Sequence, residues 1–329
     1  MKNILNRLIN HEVLHKDEAK NALINISKGN YNSNQIASFL TVYMMRPMTI
    51  DELEGFRDAL LEMCIRVDLT DFDTIDICGT GGDGKDTFNI STLSAFVVAG
   101  AGVKVAKHGN YGVSSISGSS NVLEKLGVQF TSQKEQLKRT LDKAGICIMH
   151  APLFHTALKN VGQIRKDLAI KTFFNMLGPI VNPSFPKNQL VGVFNLEIAR
   201  MYAYLYQNSD VNYAIIHSMD GYDEISLTGS TKIIKNNHER IFDPGNFGLP
   251  ILNQIQIKGG TTIDASAKIF YDIISGNGTQ AQKDVVCANA AIAISTVEKC
   301  LEQVGFERAR ESLYSGKAKK SLERLIKMN

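Results

Sequence analysis

Apolar positions recur at helical spacing over residues 4–26, and Gly29 supplies a stop signal. Ser33 is placed to cap a second helix reaching Met45, which Arg46-Pro47-Met48 then breaks. Thr49 and Glu52 form a capping-box pair, so a third helix should run to about Arg66. The first 67 residues read as helices only.

The pattern changes at residue 74. Thr74 to Cys78 reads as a short buried strand, followed by a glycine-rich loop and a helix from about Ser91 to Ala101. Val103 to Ala106 is a second strand. A capping box at Ser132 to Glu135 opens a helix, and Ile146 to Met149 is a third strand. Strand patterns resume at Leu190 to Phe194 and Tyr213 to His217, while residues 155–178 again show helical spacing alone. Strands alternating with helices imply a parallel sheet with crossover helices. The expected fold is α/β: a small all-helical domain packed on a larger α/β domain with a mainly parallel central sheet and flanking helices. The helical domain would take residues 1–68 plus about 155–183, and the α/β domain 69–154 plus about 184–329.

Composition narrows the function classes. The 329 residues are 44% apolar and 21% charged, as in a folded globular protein. A net charge of +3 does not argue for nucleic acid. No stretch approaches the roughly 18 continuous apolar residues of a membrane span, and the N-terminal segment lacks a signal-peptide core. Cys64, Cys78, Cys147, Cys287 and Cys300 form no CxxC pair, which fits free thiols in a cytoplasmic protein. The basic C-terminal stretch GKAKKSLERLIKMN reads as an amphipathic helix with a solvated face.

Three clusters carry chemistry. The first is DICGTGGDGKDTFNIST, residues 76–92, between a strand and a helix. Gly79, Gly81, Gly82 and Gly84 let backbone N–H groups approach an anion without interference from Cβ. Asn89, Ser91 and Thr92 lie at the following helix N-terminus, where orphan N–H groups favour phosphate. The loop is not Walker A, because Asp86 follows Lys85, and it is not GxGxxG. The second cluster, KHGNYGVSSISGSSNVLE at residues 107–124, again combines glycines with hydroxyls, plus Lys107 and Asn110. His108 alone would more often be a packed histidine, but its neighbours favour a pocket. Two such loops suggest a ligand with two anionic ends. The third, HSMDGYDEISLTGS at residues 217–230, places Asp223 and Glu224 side by side just past a strand. Hard oxygen donors of that kind suit Mg²⁺.

Together the strings GTGGDGKDTFNIS, KHGN..VSS.SGS..VLE.LG, IRKDLAIKTFFNMLGPIVNP, DGYDEIS and the late Gly259, Gly260, Ala265, Gly276 pattern resemble the anthranilate phosphoribosyltransferase family from end to end. That family pairs a helical domain with an α/β domain, an architecture shared with pyrimidine nucleoside phosphorylases. The resemblance implies Mg²⁺-dependent transfer of phosphoribosyl from phosphoribosyl pyrophosphate to anthranilate, in tryptophan biosynthesis. It implies that Gly79, Gly82, Asp83, Thr87, Asn89, Ile90, Ser91 and Thr92 contact phosphoribosyl pyrophosphate. Lys107, His108, Gly109, Asn110, Tyr111, Gly112, Val113, Ser114, Ser115 and Ser119 would enclose the rest of it. Gly79, Asn110 and Arg165 would line the anthranilate side, with the Arg165 guanidinium pairing with the carboxylate. Ser91, Asp223 and Glu224 would hold Mg²⁺, two ions per monomer. A homodimer through the helical domain is implied as well, with no nucleic-acid or membrane partner.

An aniline nitrogen is nucleophilic when neutral, so positioning should dominate and no general base is assigned. The chain departs from the family pattern at Tyr111-Gly112, where an arginine is usual after Asn110. It also departs at Phe154, where a tyrosine is usual, and at Lys171, where arginine is common. Two other readings remain open to test: a nucleoside phosphorylase, which would not need the Asp223-Glu224 site, and a non-catalytic relative that binds nucleic acid through a basic groove.

Overall fold

The N-terminal pattern resolves into four helices, Lys2–Ile9, Lys16–Ser27, Ser33–Met45 and Ile50–Met63. The computed structural model describes residues 1–112, 117–236 and 238–328, and of Asn160 the backbone only. The helix expected over 4–26 is two helices. After Ile9 the chain turns through His11, at a left-handed φ of 62°, and restarts at Lys16. Glu18 drives the restart: its carboxylate accepts the His15 N–H at 3.0 Å and meets Arg7 of the preceding helix at 2.5 Å. The third helix is capped by Asn32 rather than Ser33. Asn32 accepts the Gln35 N–H at 3.0 Å, and Gln35 accepts the Asn32 N–H at 3.2 Å. The Thr49–Glu52 box forms as expected. Its helix ends at Met63, short of Arg66, because Cys64 turns extended with ψ 155°.

The chain divides into two units, Met1–Arg66 with Ala151–Pro183 and Val67–His150 with Ser184–Asn329. The second helical stretch adds the short helices Ala151–Phe154, Lys159–Leu168 and Phe174–Leu177. It supplies Phe173, which stacks on Phe56 at 4.7 Å and lies edge-on to Phe39 and Tyr43. This aromatic cluster is the core of the helical unit, and it ties together residues more than a hundred positions apart.

The other unit is built on a seven-stranded sheet. Its strands are β1 Thr74–Gly79, β2 Lys104–Gly109, β3 Ile146–His150, β4 Asn188–Gly192, β5 Asn212–Ser218, β6 Thr231–Lys235 and β7 His238–Phe242, ordered β3-β2-β1-β4-β5-β6-β7. The first five pair in parallel, as the strand-helix alternation predicts. The pattern of apolar runs does not single out β6 and β7, which pair antiparallel at one edge. These two are half-exposed, and their lysines, arginine and histidine blur the alternation. β4 also begins two residues earlier than Leu190, because polar Asn188 and Gln189 are buried and bonded, Asn188 to Asp73 and Gln189 to Tyr206.

Two helices pack their whole circumference into this unit. Ile90–Gly100 and Gln280–Glu298 are almost wholly buried, as expected for helices apolar all round. The Ser132–Glu135 box does not form. Gln133 occupies the N-cap of the helix Lys134–Ala144, and its N–H goes to the Thr131 hydroxyl at 3.1 Å. The C-terminal helix Lys317–Met328 is amphipathic, burying Leu322 and Leu325.

Candidate active site

The strand order reverses direction at β1, whose neighbours are β2 and β4. Loops leaving the C-terminal ends of strands at such a point frame a crevice, where open α/β sheets bind ligands. The glycine loop leaves β1 there. Gly81, Gly82 and Gly84 take φ of 62°, 75° and 72°, a left-handed run that other residues adopt only with strain. Thr80 donates its N–H to the Gly192 carbonyl at 2.9 Å, fixing the loop root against β4. Its far side is pinned by Gly259, whose N–H reaches the Asp86 carbonyl at 2.7 Å. A side chain at Gly259 would lie 2.7 Å from the Thr87 carbonyl oxygen, which accounts for one glycine of the late pattern. The Ile90 side chain is fully buried in the core and its N–H donates to the Phe88 carbonyl; Thr92 is buried too.

Asp223 and Glu224 reach this loop from β5. Asp223 accepts the Gly81 N–H at 2.6 Å, and Glu224 accepts the Ser91 N–H at 2.9 Å. The segment crosses the end of β4 so closely that any side chain at Gly192 would collide with the Asp223 carbonyl, and one at Gly79 with the Asp223 carboxylate. Both acids are buried. Burial, reinforced by repulsion from Asp83, raises the Asp223 carboxyl to about 7 against the pull of the Gly81 N–H. Burial and the neighbouring Asp223 raise Glu224 well above the ordinary carboxylate range, again opposed by Ser91. Asp223 and Glu224 thus meet repulsion from each other and from Asp83 beside the N–H donors of the loop, and a cation at the pair would relieve it.

The second loop leaves β2. The buried Lys107 ammonium donates to the Ile77 carbonyl at 2.5 Å. His108 is buried beside Asp76, with its backbone N–H donating to Asp76 Oδ1 at 3.2 Å and its ring Nδ1 3.6 Å from Oδ2. Burial alone would lower this imidazole, but Asp76 and Cys78 outweigh it and raise it to about 9. The Asn110 carbonyl accepts from Ser120 N–H at 3.2 Å and from the Ser119 hydroxyl at 3.3 Å. Asn121 closes the neck, accepting from Gly112 N–H and Gly118 N–H, both at 3.0 Å. Tyr111, where the family pattern has arginine, lays its ring edge-on to His150 at 4.6 Å, and Phe130 stacks on His150. Val113, Ser114 and Ser115 lie outside the described residues. Asn89 donates to the Ser117 carbonyl at 3.2 Å, linking the two loops.

Arg165 belongs to the helical unit, on the helix Lys159–Leu168. Its guanidinium donates to Asn175 Oδ1 at 3.4 Å and sits 5.1 Å over the Phe174 ring. Burial holds its pKa below the usual arginine value.

Residues 2–64 match the family described as "Glycosyl transferase family, helical bundle domain", and residues 71–319 match "Glycosyl transferase family, a/b domain". Anthranilate phosphoribosyltransferase of Flavobacterium johnsoniae is 68% identical over 329 residues, all of both chains. The chain belongs to the anthranilate phosphoribosyltransferase family. The Cytophaga hutchinsonii anthranilate phosphoribosyltransferase is 51% identical, over 99% of this chain and 100% of its own. Among solved structures, anthranilate phosphoribosyltransferase from Thermus thermophilus superposes with a TM-score of 0.91 at 30% identity, over 98% of each chain. The Saccharomyces cerevisiae enzyme in complex with PRPP and Mg has a TM-score of 0.89 at 27% identity, over 98% of this chain and 96% of that one.

The donor set fits a family member that uses Mg²⁺. Among the described residues no group of three or more His, Cys, Asp or Glu forms a metal cage. Mg²⁺ does not need one: it is held by one or two carboxylates and completes its shell with water and substrate phosphates. Asp223 and Glu224 each give one oxygen to a loop N–H and keep lone pairs on the other. Gly192 and Asn289 shape this site without belonging to any of the motifs, and Ser218 shapes it from the start of the third. A buried asparagine in the apolar stretch VVCANAAIAI is the one visible sequence signal for Asn289.

Proposed function

We propose that this chain joins anthranilate to the ribose of phosphoribosyl pyrophosphate, releasing pyrophosphate and giving N-(5-phosphoribosyl)anthranilate, in the manner of its family. The observation that carries the site assignment is the pairing of Asp223 with Gly81 N–H and of Glu224 with Ser91 N–H. These carboxylates sit on the donors that a pyrophosphate would use, so binding exchanges one anion for another on a preformed cradle. Mg²⁺, when bound, neutralises charge on the departing pyrophosphate. The chain does the rest by position. Gly81, Gly82 and the N-terminus at Ser91 offer fixed N–H groups to the leaving group. Ser119 and Asn110 bound the other end of the sugar phosphate. Arg165 offers its guanidinium fork to the anthranilate carboxylate.

The same reading assigns two Mg²⁺ per monomer, a cytoplasmic reaction and a homodimer formed through the helical unit. Free cysteines support the compartment. No helix among the described residues is long and apolar enough to cross a membrane. Exposed Ile9, Val13, Met44 and Met45 on the helical unit support the dimer, which sedimentation would test. Loss of anthranilate fluorescence with phosphoribosyl pyrophosphate, with and without Mg²⁺, tests the function. Consumption only when all three are present is expected. Phosphorolysis of a nucleoside without metal would replace this reading with the phosphorylase one.

A further inference from the structure

Outside the described motifs, the buried Asn289 makes a contact that core packing does not require. It sits on the helix Gln280–Glu298, among alanines, valines and isoleucines. Its amide grips the main chain of Ile225 at both ends: Oδ1 accepts the Ile225 N–H at 3.0 Å, and Nδ2 donates to the Ile225 carbonyl at 2.9 Å. Nδ2 also donates to the Val285 carbonyl of its own helix at 2.9 Å, which locks the amide orientation. One residue earlier, the Ser218 hydroxyl at the end of β5 donates to the Glu224 carbonyl at 2.6 Å. The backbone that presents the two acids is therefore held by one strand end at the Glu224 carbonyl and by one helix at Ile225, the two grips meeting on the peptide bond that joins them. A backbone ladder could not do this, because the segment leaves the sheet after β5.

We infer that Asn289 and Ser218 are positioning residues that fix the main chain of Glu224 and Ile225, and so set how Asp223 and Glu224 present their carboxylates to Mg²⁺. This role rests on the metal reading proposed above. A buried carboxamide bonded at both ends cannot be replaced by an apolar side chain without leaving the Ile225 N–H and carbonyl unsatisfied. The segment would then shift to find other partners, and the acids with it. Residues that orient metal ligands affect metal affinity strongly even without touching the ion.

The test is thermal melting of the full chain with inorganic pyrophosphate at a fixed level, titrated with Mg²⁺, for wild type, Asn289→Leu and Ser218→Ala. Transfer kinetics accompany the melts. Wild type should melt higher as Mg²⁺ and pyrophosphate load it. Both variants should need about 10- to 100-fold more Mg²⁺ for the same rise, with the KM for anthranilate unchanged and kcat recovering at high Mg²⁺. A variant that melts lower yet keeps the wild-type Mg²⁺ requirement shows a purely structural role and overturns the inference. If Asn289→Leu does not melt cooperatively, Ser218→Ala, which removes a single hydroxyl, separates the two roles by itself. Wild type showing neither Mg²⁺-linked stabilisation nor transfer would instead sink the functional reading itself.

Discussion

Glu52 in the helical unit and the Asp223–Glu224 pair in the α/β unit are both buried carboxylates, and their surroundings are opposite. Glu52 is fully buried yet surrounded by donors: the Leu14 N–H at 3.0 Å, the Tyr43 hydroxyl at 2.9 Å, the Thr49 N–H at 2.9 Å and the Arg46 guanidinium. Burial would raise its pKa, but Arg46 and these donors outweigh it and hold the carboxyl below the ordinary range. Asp223 and Glu224 receive one loop N–H each and repel each other and Asp83, so burial wins and both are raised. The contrast sets a charge satisfied by its neighbours against charges that are not. The first is complete within the chain. The second is left in tension that a cation would relieve.

The sharpest way to break the comparison is to neutralise the acids. Asp223→Asn with Glu224→Gln should reduce Mg²⁺-dependent turnover by about 10³-fold, the equivalent of several kcal/mol at the transition state. Anthranilate fluorescence reads it, and near-normal rates would end the metal assignment. Next in size, Arg46→Met leaves Glu52 buried without its counter-charge. A cost of about 3–5 kcal/mol is expected, seen as early melting of the helical signal in circular dichroism. An unchanged melt would mean that Glu52 is held by its neutral donors alone.

Arg165 tests whether tension marks function in the helical unit as well, since burial depresses this guanidinium. Arg165→Ala should raise the KM for anthranilate by the equivalent of about 1.5–3 kcal/mol, as for a lost charge-assisted bond. A change confined to phosphoribosyl pyrophosphate would place the acceptor elsewhere. The smallest effect is on the metal-free fold. There the same Asn/Gln double substitution should stabilise by about 1–2 kcal/mol at alkaline pH, because it removes buried repulsion.

The two sites also titrate in opposite senses. Glu52, depressed when folded, contributes stability that is complete above the ordinary glutamate value of about 4.3 and lost as pH falls below it. Asp223, raised to about 7, keeps a proton in the folded state that the unfolded chain has released. Metal-free stability should therefore fall as pH rises from about 4 toward 7. Melting curves of the metal-free protein across pH 3–9 would show both limbs, and the Asn/Gln variant should lose only the neutral one.

The legible parts are those where local sequence dictates local geometry. Gly81, Gly82 and Gly84 announce a loop with left-handed φ, and that is what forms. Thr49 and Glu52 announce a cap, and it forms. Boundaries are less legible where two residues compete for one role, as with Asn32 beside Ser33 and Gln133 beside Ser132. Nothing local distinguishes the edge strands β6 and β7 or the break at His11. Gly192 reads as an ordinary strand residue until Asp223 is seen lying across it.

By itself the sequence determined the periodicities, caps, glycine loops and adjacent acids, because each depends on residues a few positions apart. It also determined the family, because those strings occur together in one chain. Only the tertiary structure decided that Glu52 becomes the bonded centre of the helical unit. Only the tertiary structure brought Asp223 and Glu224 onto Gly81 and Ser91, and gave Asn289 its grip on Ile225. The Asp223, Glu224 and Asn289 pairings join residues 64 to 142 positions apart. Their energetics depend on burial and on which donors surround a charge, and neither exists until the chain has folded.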